Sequence, residues 1–141
     1  MSVALSYTTE ERIKFSEVDA MGILWHGHYL RLFEEGREQF GLQHGIDYLS
    51  IHREGFFTPI VKSNVNHIAP LEYGDTAIIT AKYVYSPAAK IIFDYEIFSK
   101  NTQRLCATGR TEQVFLNSDY QLNLTNPTIY ETWKKKHFSN A

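Results

Sequence analysis

A chain of 141 residues can bury one hydrophobic core, and it is predicted to form a single domain over residues 1–141. Its net charge of -2 gives no indication of a nucleic-acid partner, and its one cysteine, Cys106, excludes an internal disulfide. No stretch approaches the ~20 apolar residues of a membrane span, and the N-terminal sequence has no signal-peptide pattern, so we expect a cytoplasmic protein.

The first predicted elements are a strand over residues 5–15 and a long helix that begins at about His26 and ends within residues 41–45. Apolar residues of this helix recur at the spacings i+3, i+4, i+7 and i+11, which form one buried stripe. They are Tyr29, Leu32, Phe33, Gly36 and Phe40. Because glycine costs stability inside a helix, Gly36 indicates that the helix lies very close to another backbone, such as that of a sheet.

After a short helix capped by Asp47, the hydrophobic period changes to that of β-strands. Strands are predicted over residues 57–69, 77–85, 91–98 and 105–116, with a terminal helix after Pro127. Pro59, near the start of the first of these strands, favours an edge position or a bulge. Four strands joined by short turns predict an antiparallel meander. The long helix must pack on one face of this sheet, so the fold class is α+β.

Few side chains have the spacing that a known chemical site requires. The six histidines are scattered and form no metal-ligand motif. No phosphate-binding loop and no nucleophile elbow is present in the sequence. Cys106 lies in a predicted strand interior and is interpreted as structural. We therefore predict no metal site.

Asp19 is the carboxylate with the most distinctive position, because it lies just before the start of the long helix. Two interpretations are open. As a turn residue, Asp19 would bond its own backbone. As a functional residue, it would be desolvated by the apolar residues of the segment VDAMGIL and act as a base, while the unsatisfied N–H groups at the helix start would stabilise an oxyanion. Glu17, two residues earlier, is interpreted as solvated or structural.

The segment 15–40 resembles the signature of the hotdog-fold thioesterases of the 4-hydroxybenzoyl-CoA thioesterase type. That pattern contains an aromatic residue, an acidic residue, Asp, a small residue, Gly, two apolar residues, an aromatic residue or His, an Asn-Tyr-Leu helix start and an acidic-rich helix. The matching residues are Phe15, Glu17, Asp19, Ala20, Gly22, Ile23, Leu24, His26, Tyr29, Leu30, Phe33, Glu34 and Arg37. The turn PLEYGD at residues 70–75 and the order of the elements also resemble this family, whereas His28 stands where the family usually has Asn.

The resemblance implies a hotdog fold, in which a five-stranded, mostly antiparallel sheet wraps a long helix. It also implies hydrolysis of an acyl-CoA or acyl-carrier-protein thioester without a metal or cofactor. Asp19 would act as base or nucleophile, and the backbone N–H of His26 would polarise the thioester carbonyl. The implied partner is a second copy of the chain, in a homodimer or homotetramer whose active sites lie at the subunit interface. The predicted substrate contacts are Gly22, Leu24, Trp25, His28, Tyr29, Pro59, Ile60 and Val61.

Two other functions fit the same residues. A hotdog hydratase or dehydratase would use His26 or His28 together with Asp19, and it would leave the thioester intact. A non-catalytic acyl-binding module would bind the acyl group without turnover. Within the thioesterase hypothesis, we expect the His26 side chain to contribute to turnover and His28 to lie at the helix start or beside the substrate.

Overall fold

The computed structural model describes residues 5–138, so the ends of the predicted domain, residues 1 and 141, lie outside the described residues. Two single-turn 3₁₀ helices, Phe15–Glu17 and His26–His28, precede the long helix. The remaining elements are β1 (Ser6–Arg12), α1 (Tyr29–His44), α2 (Tyr48–Arg53), β2 (Ile60–His67), β3 (Thr76–Val84), β4 (Lys90–Ser99), β5 (Leu105–Leu116), β6 (Leu122–Asn123) and α3 (Thr128–Phe138). Within residues 5–138, no helix combines the length and the apolar character needed to cross a membrane.

The strand order of the sheet is β1-β3-β4-β5-β2, and every neighbouring pair is antiparallel. The predicted meander is therefore right for β3, β4 and β5 but wrong for β2, which pairs with β5. All residues of β2 except Val65 are exposed, so this strand lacks the apolar side chains that a central strand buries. The edge position that Pro59 favours is confirmed, and the β2 register also shifts between Ile60 and Lys62.

Helix α1 lies on one face of the sheet and buries the predicted apolar stripe. Leu32, Phe33 and Phe40 have no exposed surface. A Cβ at Gly36 would lie 2.9 Å from Cγ2 of Ile79, so the close approach at this glycine is to a side chain of β3 and not to backbone. The predicted α+β class, with a long helix on a path of five antiparallel strands, is confirmed; the two-residue β6, which was not predicted, pairs with β5.

Helix α3 closes one end of the groove between α1 and the sheet. Trp133 Nε1 donates a hydrogen bond to the His44 carbonyl at 2.7 Å, which ties α3 to the end of α1. The hydroxyls of Tyr83 and Tyr130 are 2.5 Å apart, which ties α3 to β3. Lys134 is buried, which lowers the pKa of its ammonium group, and Nζ donates to three oxygens. These contacts fix α3 against the rest of the domain.

Phe33 is the central packing residue of α1, and its truncation tests the helix–sheet core. Its ring stacks on Tyr95 with the ring centroids 4.4 Å apart. Because a buried Phe→Ala change removes apolar contacts and leaves a cavity, Phe33→Ala is expected to lower the free energy of unfolding by ~3–5 kcal/mol in urea unfolding. Leu42→Ala, on the exposed side of the same helix, is the control. Equal losses in the two variants would contradict this account of the core.

Candidate active site

Residues 17–25 form a short hairpin whose turn carries Asp19. The Asp19 N–H donates to the Ile23 carbonyl at 2.9 Å, and the Trp25 N–H donates to the Glu17 carbonyl at 2.9 Å. The turn closes through the Gly22 N–H, which donates to the Asp19 carbonyl at 2.9 Å. Gly22 has φ +76°, a left-handed conformation that glycine adopts at little cost. The hairpin therefore holds the Asp19 turn and the start of the next helix in one rigid unit.

The Asp19 carboxylate has one oxygen fixed by the turn. Its Oδ1 accepts a hydrogen bond from the Met21 N–H at 2.8 Å, so the interpretation as a turn aspartate is correct. Within residues 5–138, Oδ2 has no hydrogen-bonding partner. Of the apolar residues predicted to desolvate it, Ala20 and Met21 are exposed at the tip of the turn in the single chain, whereas Leu24 is buried; the desolvation stays a prediction. The carboxylate is thus oriented, half-buried and able to accept a proton at Oδ2.

Glu17 is a buried carboxylate at the first position of the hairpin. It is 8% exposed, so the structural interpretation is correct and the solvated one is wrong. Its Oε1 accepts from the Lys14 N–H at 2.7 Å, and its Oε2 is paired with the Arg31 guanidinium on α1. A buried carboxylate needs such partners to offset the loss of hydration. Glu17 therefore connects the hairpin to the first turns of α1, a role that sequence reasoning missed.

The turn at residues 70–75 anchors the hairpin to the sheet. The Leu24 N–H donates to the Leu71 carbonyl at 2.7 Å, and the Tyr73 N–H donates to the Gly22 carbonyl at 3.0 Å. Asp75 at the end of this turn is buried and accepts from the hydroxyl of Ser99 at 2.5 Å. The turn PLEYGD at residues 70–75 is therefore the segment against which the Asp19 hairpin is held.

The helix start presents free backbone donors beside an aromatic cluster. Within residues 5–138, the N–H groups of His26 and Gly27 donate to no protein acceptor, whereas the His28 N–H donates to the Trp25 carbonyl at 3.0 Å. The half-exposed indole of Trp25 lies 4.9 Å from the His26 ring and 5.5 Å from the His28 ring. A Cβ on Gly27 would overlap that indole. The glycine therefore allows the tryptophan to cover the helix start.

Tyr29 connects the helix start to one end of the edge strand. Its ring is buried and lies perpendicular to His67, the last residue of β2, at a centroid distance of 4.7 Å. Burial raises the pKa of the Tyr29 hydroxyl. Pro59, Ile60 and Val61 lie at the opposite end of β2, ~23 Å from His67 at ~3.3 Å per residue. One chain therefore brings Asp19, Gly22, Leu24, Trp25, His26, His28 and Tyr29 together. It does not bring residues 59–61 to them.

A cavity of about 550 Å³ lies between the second half of α1, helix α2, the sheet and α3. Thr58 and Gln113 line it, but none of the predicted site residues does. Within residues 5–138 there is also no group of three His, Cys, Asp or Glu side chains that could hold a metal ion. The Asp19 turn thus lies on the surface of the single chain, outside this cavity.

A long helix on an antiparallel sheet, with a carboxylate turn just before the helix start, defines a hotdog-fold protein of the thioesterase type. The family model of the Thioesterase-like superfamily matches residues 13–136, and the chain belongs to this superfamily. The predicted family is thereby confirmed.

Similar proteins include enzymes that act on two kinds of thioester. YneP of Bacillus subtilis (strain 168), provisionally named an acyl-CoA thioesterase, is 30% identical over 90 residues, which are 64% of this chain and 65% of YneP. The chloroplastic acyl-acyl carrier protein thioesterase ATL3 of Arabidopsis thaliana is 25% identical over 115 residues, 82% of this chain and 60% of ATL3. The matches thus span less than two thirds of either relative's length.

Among solved structures, Slr0204, a 1,4-dihydroxy-2-naphthoyl-CoA thioesterase from Synechocystis, has a TM-score of 0.80 to this chain at 20% identity. The superposition covers 91% of this chain and 94% of Slr0204. This likeness confirms the predicted hotdog fold.

Proposed function

We propose that the protein hydrolyses an acyl-CoA thioester to the free acid and the thiol. The observation that carries this proposal is the Asp19 carboxylate, which is oriented by its own turn in a hairpin that leads directly to the free N–H groups of His26 and Gly27. Carboxylate and oxyanion donors are the two groups that acyl transfer to water requires. Membership of the Thioesterase-like superfamily supports the same reaction.

The proposed reaction uses protein groups and water. As a base, Asp19 Oδ2 takes a proton from water while the water oxygen attacks the thioester carbon; as a nucleophile, Oδ2 attacks that carbon itself and water then hydrolyses the resulting anhydride. In either route, the carbonyl oxygen gains negative charge near the His26 N–H, and the loss of such a donor costs ~3–4 kcal/mol in the barrier. The thiol leaves readily because its pKa is ~8.5 for a simple thiol.

A second copy of the chain completes the proposed site. Strand β2 is a free edge with one lysine in eight residues, whereas the other edge, β1, carries Glu10, Glu11 and Arg12, which discourage pairing. Antiparallel pairing of two β2 strands about a two-fold axis would place the partner subunit's residues 59–61 beside His67 and Tyr29. The predicted substrate contacts would then meet at the interface, in a homodimer or in a tetramer made of two dimers.

We propose CoA as the thiol carrier. CoA and acyl-carrier protein both present a thioester, and the two relatives described above are named for one carrier each.

Cys106 bears on the proposed compartment. Burial raises the pKa of the Cys106 thiol, which disfavours the reactive thiolate. A buried, reduced cysteine is compatible with the proposed cytoplasmic location.

The two histidines at the helix start are expected to differ in effect. Both imidazoles pack against Trp25, and the His26 N–H would remain after side-chain truncation. His26→Ala is therefore expected to lower kcat, but by less than the ~10²-fold typical of a lost acid–base group. His28→Ala is expected to lower kcat less than His26→Ala does.

The measurement is kcat over a pH series for both variants and wild type, with His52→Ala as the control. His52 is an exposed histidine of α2, away from the hairpin. A nearly silent His26→Ala beside a damaging His28→Ala would reverse the proposed roles.

A further inference from the structure

Two exposed aromatic side chains meet beside the Asp19 turn. Phe15 is 77% exposed and Tyr73 is 52% exposed, and their ring centroids are 5.7 Å apart with the ring planes nearly perpendicular, at 83°. Neither ring belongs to the hydrophobic core. Exposed apolar side chains are ordinary when they are scattered, whereas a contiguous group of them marks an interaction site. The two rings, with the segments around them, form an aromatic corner built from residues 12–16, 20–22 and 70–74.

Backbone hydrogen bonds hold the aromatic corner close to Asp19. The Tyr73 N–H donates to the Gly22 carbonyl at 3.0 Å, and the Gly22 N–H donates to the Asp19 carbonyl at 2.9 Å. Because a strand pair spans ~5 Å and a tight turn less than ~7 Å between Cα atoms, the Tyr73 and Asp19 Cα atoms are within ~12 Å of each other. The corner lies between the end of β1 and the start of β3, at the edge of the sheet opposite β2, so the proposed pairing of two β2 strands does not involve it.

The corner also carries positive charge. The Arg12 guanidinium lies over the Tyr73 ring, 5.9 Å from its centroid, and Lys14 is exposed two positions further along. The ion pairs formed within residues 5–138 use neither of these cations. Because Glu72 is the one carboxylate on the segments that build the corner, two cations and one carboxylate give a net charge of +1. This surface fits a ligand that combines a flat ring with negative charge.

An adenine nucleotide has both properties. Its base presents a π face that stacks on aromatic rings and on arginine, and its phosphates pair with arginine and lysine. A planar base between Tyr73 and Arg12 needs two van der Waals separations of ~3.5 Å, about 7 Å in all. The guanidinium already lies at 5.9 Å, and the Arg12 side chain is exposed, so a small movement of this side chain opens the space.

We propose that the aromatic corner binds the nucleotide end of CoA, with the adenine stacked on Tyr73 beside Phe15 and a phosphate paired with Arg12. This inference rests on the proposed function, in which the pantetheine arm carries the thioester from the corner to Asp19. An acyl-carrier protein presents the same arm without an adenine, so the corner gives the site a preference for CoA. A free adenine nucleotide is the other source of the same chemistry.

The first test is calorimetric titration of the full wild-type protein with adenosine 3′,5′-bisphosphate, the nucleotide part of CoA without thiol or acyl group. We expect it to bind, and we expect Tyr73→Ala and Phe15→Ala each to weaken binding. For Tyr73→Ala the loss should be about tenfold, which corresponds to ~1.4 kcal/mol and is in the range of a lost base–aromatic stack. Tyr48→Ala, which removes an exposed aromatic side chain of α2, is the matched control and should bind as the wild type does.

The phosphate contact is tested with adenosine, which has the same base and no phosphate. Arg12→Gln should lower the preference for the bisphosphate over adenosine by about tenfold, the scale of a lost charge-assisted hydrogen bond. Lys136→Gln, which removes an exposed lysine of α3, should keep the preference. Circular dichroism establishes that each variant is folded, and Phe15→Ala replaces Tyr73→Ala if the latter is not. Absence of bisphosphate binding to the wild type, or wild-type binding by the folded ring variants, would overturn the proposal.

Hydrolysis then connects the corner to Asp19. The same acyl group is presented on CoA and on pantetheine, which lacks the nucleotide. We expect kcat/KM of the wild type to be at least ~10-fold higher for the CoA thioester, since the nucleotide adds binding energy, and Tyr73→Ala should remove most of this preference. The ratio compares two substrates of one variant, so a general disturbance of the hairpin cancels. Equal kcat/KM values for the two thioesters in the wild type would overturn the proposal.

The source of the nucleotide is separated by adding adenosine 3′,5′-bisphosphate to the hydrolysis assay of the wild type. Competitive inhibition against the acyl-CoA supports CoA as the occupant, and noncompetitive inhibition would overturn that assignment in favour of a free nucleotide. If the bisphosphate binds through Tyr73 but no thioester is hydrolysed, the proposed function fails and the nucleotide site stands. If thioesters are hydrolysed with no preference for CoA, the nucleotide site fails and the proposed function stands.

Discussion

Asp19→Asn is expected to lower kcat for thioester hydrolysis by at least ~10²-fold, the range of a lost acid–base group. The substitution removes the ionisable oxygen but keeps an amide oxygen that can accept the hydrogen bond from the Met21 N–H, which is 2.8 Å long in the native turn. The turn and hairpin should therefore persist, and the loss should appear in kcat without a loss of stability.

The control for this change is Asp119→Asn, which alters an exposed turn aspartate far along the chain. It should leave both kcat and stability close to those of the wild type. Wild-type turnover from a well-folded Asp19→Asn protein would remove Asp19 from the mechanism. An Asp19→Asn protein that melts at a clearly lower temperature would show that the carboxylate also stabilises the hairpin.

The second large effect is expected when the free edge of β2 is blocked. The Ile68 N–H donates to the Cys106 carbonyl at 2.8 Å. Cys106 belongs to β5, and N–H groups point alternately to the two sides of a strand. The N–H groups of residues 62, 64 and 66 therefore point to β5, as that of Ile68 does, and those of residues 63, 65 and 67 point to the free edge. Proline is tolerated at an edge-strand position whose N–H faces away from the sheet. Ser63→Pro should therefore keep the fold of one protomer and remove a hydrogen bond between two.

Ser63→Pro is expected to convert the dimer to a 16.3 kDa protomer. Turnover should fall by ~10²-fold or more, the scale of a lost positioning contact, because residues 59–61 of one subunit no longer reach the Asp19 hairpin of the other. Sedimentation and kcat at micromolar concentration measure both effects, with Ser63→Ala as the control. A wild-type protein that sediments as a protomer would contradict the interface, and so would a fully active Ser63→Pro protomer.

Local patterns predicted the parts of the fold that depend on neighbouring residues. The apolar stripe of α1 repeats within a few turns of helix, so its buried face could be predicted before its partner was known. The place of β2 depends on pairing with β5, whose partner residues lie 40 (His67 and Ala107) to 53 (Ile60 and Gln113) positions further along the chain, and no pattern within residues 57–69 specifies that partner. Its exposure on both faces was visible in the sequence as a run of polar residues and could have indicated an edge.

In the candidate site, too, local motifs were predicted and contacts between distant segments were not. Asp19 and His26 are seven positions apart, one in the hairpin and the other at the helix start that follows it, so a contiguous motif contains both. Glu17 was left open because its partner, Arg31, lies fourteen positions away on the helix. The cavity of about 550 Å³ was not predicted, since its walls come from three helices and the sheet and form only when α3 closes the groove.

The most direct test of the central claim is free-thiol release during incubation of wild-type protein with short, long and aromatic acyl-CoA thioesters. Mass spectrometry of the acyl product is run in parallel, and the Asp19→Asn protein serves as the matched inactive sample. The proposed mechanism predicts one thiol and one free acid for each thioester consumed by the wild type, with at least ~10²-fold slower release by Asp19→Asn. Binding without thiol release, or an altered acyl group that is still attached to CoA, would contradict it.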